Sequence, residues 1–266
     1  MANIKMLLPF FFIMLGLMPI AAASYISIQS AVTATDNKTT IKVTNLGDEA
    51  AYNVQLSLDI NNKKITSNAK RQLGVGESFE WTAPLGFKSK NPGKYPIILT
   101  TNYEDANSYP FSAISVSTFD YKEAAVSDIA AAMSNTQLSD KGVLGLKIKN
   151  TGESAKDATI RLIIPKELTA DKDKVSIKIP PKSEMAIEFE IEKFSALAGS
   201  SYAVFAVIEY DEDGRHYTSM ANGIVKVFEK KNIFTNQNLL ITLLTILTIV
   251  FIYFQFKKKS SKEDGK

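Results

Sequence analysis

Thr40 to Thr44, Asn53 to Ile60, Ser78 to Trp81 and Ser112 to Phe119 alternate apolar with polar residues, and each stretch predicts a strand with one buried face. The same period of two returns at Gly145 to Lys149, Thr159 to Ile164, Val175 to Ile179, Met185 to Ile191 and Ile224 to Phe228. Tyr95 to Tyr103 and Tyr202 to Tyr210 are more continuously apolar and β-branched, as strands covered on both sides would be. Asn45 with Gly47, Asn61-Asn62, Gly74 with Gly76, Pro92-Gly93, Pro180-Pro181 and Asp213-Gly214 supply turn chemistry between them. Asp128 to Met133 is rich in alanine and predicts a helical turn instead. About seven short strands per hundred residues predicts an all-β chain built of immunoglobulin-like β-sandwiches.

The pattern repeats. Residues 41–50 (IKVTNLGDEA) match 146–155 (LKIKNTGESA), 105 positions apart, with apolar, Asn, Gly, acidic and Ala positions in register. One residue out of step, Val54 to Leu58 meets Ile160 to Ile164; Tyr103-Glu104-Asp105 then faces Tyr210-Asp211-Glu212, and the units close on Phe119 and Phe228. Three ordered blocks predict two tandem copies of one fold, 24–119 and 120–228, held close by a short connection. Asn45 and Asn150 are expected to bond their turn backbones, Gly47 and Gly152 to adopt positive φ, and Tyr103 and Tyr210 to bury a ring with the hydroxyl at a corner.

Val43-Thr44-Asn45-Leu46-Gly47 with Ala50 to Val54, and Pro92-Gly93-Lys94-Tyr95 leading to Tyr103-Glu104-Asp105, resemble the bacterial and archaeal Ig-like modules of the CARDB and NEW3 type. The second copy departs from the pattern, carrying Ala198-Gly199-Ser200-Ser201 in place of Pro-Gly. The resemblance implies a presentation or adhesion module in tandem on a cell surface. It brings no catalytic residues.

The chain ends add a location. Residues 1–23 combine Lys5, an apolar run from Met6 to Ile20 and Ala21-Ala22-Ala23, the pattern of a cleaved signal peptide. Residues 239–256 carry no charge and would span about 27 Å as a helix, close to a ~30 Å hydrocarbon core. Lys257, Lys258 and Lys259 come immediately after, so a transmembrane helix is expected, joined to the sandwiches by a juxtamembrane linker (229–238) and ending in a basic cytoplasmic tail (257–266). The ectodomain then lies outside the cytoplasmic membrane, in the periplasm or at the cell surface.

Charge and cysteine content narrow the class. The formal net charge is +3, but taking Lys5 and five tail lysines from 31 basic residues, and Glu263 and Asp264 from 28 acidic ones, leaves 25 against 26. An ectodomain near −1 offers no basic face for phosphates, which sets nucleic acid aside. With no cysteine, the exported part must stand on its hydrophobic cores.

Candidate chemistry is thin. Asp211-Glu212-Asp213 before Gly214 could offer oxygens to Ca²⁺, but the spacing is not that of a dedicated site and a solvated hairpin turn fits better. His216, the single histidine, excludes His/Cys zinc sites and reads as exposed turn decoration. Trp81 could stack on a sugar, although its alternation with Phe79 points it toward a core. Thr242, Thr245 and Thr248 recur along one face of the expected anchor, where they would either serve helix association or bond their own backbone. Asn37-Lys38-Thr39 fits the N-glycosylation pattern.

No catalytic, metal or cofactor motif stands out. The expected function is a non-enzymatic scaffold for a membrane or surface assembly, with a protein partner, or alternatively a glycan-binding adhesive module. Sheet edges and sandwich-tip loops are the expected contact surfaces.

Overall fold

The computed structural model describes residues 25–35, 38–228 and 236–263, with only the backbone of 236–240 and 255–263. The signal peptide, Asn37 and most of the juxtamembrane linker lie outside the described residues. The chain forms two compact units, residues 1–227 and 228–266.

The first unit holds seventeen strands among the described residues. In the first half they are β1 (Ile28–Ala34), β2 (Lys38–Asn45), β3 (Ala51–Ile60), β4 (Lys63–Thr66), β5 (Lys70–Leu73), β6 (Ser78–Pro84), β7 (Gly93–Glu104) and β8 (Pro110–Tyr121). The second half has β9 (Ile129–Met133), β10 (Thr136–Leu138), β11 (Lys141–Asn150), β12 (Lys156–Ile163), β13 (Leu168–Ala170), β14 (Lys174–Ile179), β15 (Glu184–Lys193), β16 (Ser201–Glu212) and β17 (Arg215–Val227). A three-stranded sheet runs β1-β2-β6, and a four-stranded one runs β13-β15-β11-β9. The third sheet has ten strands and crosses both halves in the order β14-β12-β16-β17-β7-β3-β4, with β5 on β3, β8 on β7 and β10 on β17.

Alternation builds the cores. Along β2, Ile41 and Val43 are buried while Lys38 and Lys42 face water. The first core joins them to Val54, Leu56 and Leu58 of β3 and to Tyr95, Ile97 and Leu99 of β7, so the small sheet packs face to face on the long one. The second core joins Leu144, Leu146 and Ile148 of β11 and Phe189 of β15 to Ile160, Val204 and Ile208 across from them. Each such side chain, fully buried, contributes roughly 1.5–3 kcal/mol of transfer free energy. Trp81 packs against the first core, as its alternation implies. The central strands β7 and β16 are buried on both faces over Tyr95–Leu99 and Ala206–Ile208.

Two expectations need correction. Residues 129–133 are strand β9, not a helical turn: Ala130, Ala131 and Ala132 pair with Lys149, Ile148 and Lys147, and that ladder overrides alanine's helical preference. Gly47 and Gly152 do not have positive φ; Gly47 is required by close approach to backbone, whereas Gly152 sits close to a side chain that can shift. A Cβ on Gly47 would lie 2.3 Å from the Tyr25 carbonyl oxygen, and one on Gly152 would lie 2.6 Å from the Asp128 carboxylate. The expected asparagine roles are present. Asn45 and Asn150 are fully buried, and each accepts a bond from the glycine N–H two residues on, at 3.0 and 2.9 Å. The hairpins close as expected on Asn61-Asn62 and Asp213-Gly214, all four with positive φ.

The second unit contains α1 (Asn236–Glu263), which includes the apolar run 239–256. Among the described residues no helix is long and apolar enough to cross a membrane. The described side chains of α1 run from Ile241 to Phe254, about 20 Å of helix. Thr245 and Thr248 donate to the carbonyls of Ile241 and Leu244, both at 2.8 Å, so these hydroxyls bond their own helix.

Candidate functional site

Chemistry-bearing side chains gather at the β16–β17 hairpin, where the two halves meet. The period of two divides the acidic run between the faces of β16. Asp211 lies opposite His216 on β17, and Glu212 lies opposite Arg215. On one face, Asp211 Oδ1 is 2.8 Å from His216 Nδ1, Glu209 Oε1 is 3.3 Å from His216 Nε2, and Arg161 Nη2 is 2.9 Å from Glu209 Oε2. On the other, Lys156 binds Glu212 and lies 3.2 Å from Asp128, with its ammonium 5.4 Å from the centre of the Tyr210 ring. Asp213 forms the tight turn with Gly214. The three acids therefore do not converge, and among the described residues no group of three or more potential ligands is placed to hold a metal ion.

His216 is not exposed turn decoration. Its ring is largely buried and stacks on Tyr95 of the first half, with centroids 4.1 Å apart and planes 8° from parallel. The His216 backbone N–H donates to the Pro92 carbonyl at 2.8 Å, and the Thr218 hydroxyl donates to the Lys94 carbonyl at 2.7 Å. Gly93 lies opposite His216 with φ +139°, where a Cβ would lie 2.0 Å from the His216 carbonyl oxygen. This contact fuses the halves into one sheet. Tyr95 in turn joins Phe87, Phe119 and Tyr121 in an aromatic cluster. Beyond the hairpin, Arg215 reaches Glu123 in the connection between halves, at 3.0 Å.

A second joint lies at the far end. The Ser112 hydroxyl donates to buried Glu167 at 2.7 Å, and the Tyr109 hydroxyl donates to the Ser195 carbonyl at 2.6 Å. Burial raises the pKa of Tyr103 and Tyr202 beside it, and the Glu167 carboxylate adds to both shifts. Tyr210 meets its expected corner role, its hydroxyl accepting from the Asp128 N–H at 3.0 Å. Sequence reasoning missed both joints, because each is made between residues far apart in the chain.

Burial disfavours the charged form of His216, but the carboxylates of Glu209 and Asp211 outweigh it and the net pKa is raised. Stabilisation from the charged ring is therefore fully present below its ordinary value of about 6.5 and is lost as pH rises through the folded value. For Glu209, burial opposes ionisation while His216 and Arg161 overcome it, so its pKa is lowered. Its contribution is present above the ordinary carboxylate value and disappears as pH falls through the folded one. The full-length protein should melt highest between these limits and lose melting temperature on the alkaline side. His216→Gln should flatten that alkaline decline; an identical profile in the variant would remove His216 as its source.

The fold is mostly β, with several sheets around two cores. No family model matches the chain, and no curated protein matches it. Among solved structures, Escherichia coli alpha-2-macroglobulin activated by porcine elastase is similar over 78% of this chain and 22% of its own, at 10% identity and a TM-score of 0.31. The native conformation of the Escherichia coli protein is similar over 77% and 17%, at 9% identity and a TM-score of 0.31. Red sea bream transglutaminase is similar over 87% and 34%, at 11% identity and a TM-score of 0.26. The likeness is distant, and the chain spans about a fifth of the length of the first of these proteins.

Proposed function

We propose that this chain is a single-pass membrane protein displaying two tandem immunoglobulin-like sandwiches, of the CARDB and NEW3 kind, outside the cytoplasm as a non-enzymatic scaffold. The observation that carries the reading is the uncharged run 239–256, which falls inside a continuous helix and runs directly into three lysines. The apolar run at 6–20, with alanines at 21–23, supports export of the β body. That body supports docking rather than turnover, since the charged side chains gathered at the β16–β17 hairpin pair with one another and with the connection between the halves. Arg161 holds Glu209, Lys156 holds Glu212, and His216 sits between Glu209 and Asp211. A glycan-binding role draws no support from Trp81, which packs against the first core.

The test is alkaline carbonate extraction and protease treatment of intact spheroplasts, then crosslinking in membranes with mass spectrometry. The reading expects the chain to stay with the membrane, its body to be cleaved from outside, and a protein to be captured. Release by carbonate, or a body protected from external protease, would refute the topology; a clean crosslinking profile would refute the scaffold role.

A further inference from the structure

Of the eight large apolar side chains exposed on the described part of the body, five gather at one end, while Val143 and Ile224 lie within strands β11 and β17 and Val126 lies elsewhere. Strands β7 and β17 run parallel from the Gly93–His216 contact, so the Val227 end of β17 lies on the same side as the Glu104 end of β7. The Tyr109–Ser195 and Ser112–Glu167 bonds tie the halves together on that side. Tyr52 pairs with Glu104, which places the loop 46–50 there as well, with Asp48 bonded to Tyr25 and Gly76 to Asn45. In the second half, Gly199 donates to the Val227 carbonyl at 2.8 Å, bringing the loop 194–200 beside the point where the chain leaves the body. Phe194 (75% exposed), Val75 (60%), Tyr25 (57%) and Leu46 (52%) all project at this end, joined by Leu197. Val126 (84%) is the one comparably exposed side chain at the other end among the described residues.

Chain reach decides what this rim faces. Between Val227 and the start of α1 at Asn236 the polypeptide can extend at most about 30 Å. The 13 residues of β17 alone are roughly 43 Å long. The tether is shorter than the body, so an anchored body keeps its exit end, and not its opposite end, within about 30 Å of the lipid. Resting on the reading of 239–256 as a membrane anchor, we propose that Tyr25, Leu46, Val75, Phe194 and Leu197 form a rim that seats the body on the bilayer surface. Aromatic and aliphatic tips of this kind lodge at the boundary between head groups and acyl chains. Scattered apolar side chains need no partner; a set gathered on one end and held against lipid has one.

The chain has no cysteine, so single labels are clean. Full-length Phe194→Cys, Leu46→Cys and Val126→Cys, each carrying an environment-sensitive fluorophore, are reconstituted into phosphatidylcholine–phosphatidylglycerol vesicles with nitroxide lipids. The expected result is blue-shifted emission and several-fold stronger lipid quenching at 194 and 46 than at 126. Equal quenching at all three positions, or labels at 194 and 46 open to aqueous iodide, overturns the proposal, including the case in which the rim serves a protein instead. The same vesicles are washed in alkaline carbonate and floated. Retained protein with unquenched rim labels defeats the seating and leaves the anchor standing, whereas released protein defeats the anchor and the seating with it.

Discussion

Replacing Asn150 by alanine is expected to destabilise the second core by about 3–5 kcal/mol, since several buried backbone groups would lose their partner at roughly 1–3 kcal/mol each. Its Nδ2 donates to the carbonyls of Ser154, Ile179 and Pro180 at 2.8, 3.2 and 3.0 Å, and its Oδ1 accepts from the Gly152 N–H. The side chain is fully buried, so water cannot substitute without opening the loop. Asn45→Ala should cost somewhat less, because Asn45 holds two carbonyls, those of Glu49 and Leu73. Denaturant unfolding of the full-length variants measures both. A loss below about 1 kcal/mol for Asn150→Ala, the value of one ordinary hydrogen bond, would contradict the role assigned to it.

The second large effect is expected at Gly93. An added methyl would sit 2.0 Å from the His216 carbonyl oxygen, well inside van der Waals contact, so the two strands must part. Parting them removes the Pro92 and Lys94 bonds and the Tyr95–His216 stack together. Gly199→Ala is the control, because Gly199 also has positive φ, at +88°, but meets nothing within 4 Å. That control should cost about 1–2 kcal/mol of backbone strain, and Gly93→Ala should exceed it by at least about 2 kcal/mol. Hydrogen exchange at the His216 amide, which bonds the Pro92 carbonyl, should accelerate in Gly93→Ala alone. Equal losses in the two variants would show that the halves do not depend on this contact.

How much of the fold was legible in the chain depends on the range of each interaction. Strands such as β2, β3, β14 and β15 announce themselves by alternation, because burial on one face acts residue by residue. The asparagine–glycine turns were equally readable, since side chain and backbone partner lie two residues apart. β9 was not: its run of alanines carries a local preference for helix, and the ladder with β11 that defeats it is non-local. Positive φ was the local explanation for Gly47, but the true constraint is the Tyr25 backbone more than twenty residues upstream. In the candidate site, His216 looked exposed because it stands two residues beyond an Asp-Gly turn. Tyr95, in the other copy, is what buries it, and no periodicity in either copy encodes that neighbour.

The ten-stranded sheet has one more consequence, set at its margins. It terminates in β14 on one side and β4 on the other, and these strands carry Lys174 with Lys178 and Lys63 with Lys64. Cationic borders repel an incoming copy of themselves, which blocks open-ended strand-by-strand polymerisation. Crowded side by side in a plane, such molecules are therefore built to stay separate along this direction instead of knitting into fibrils.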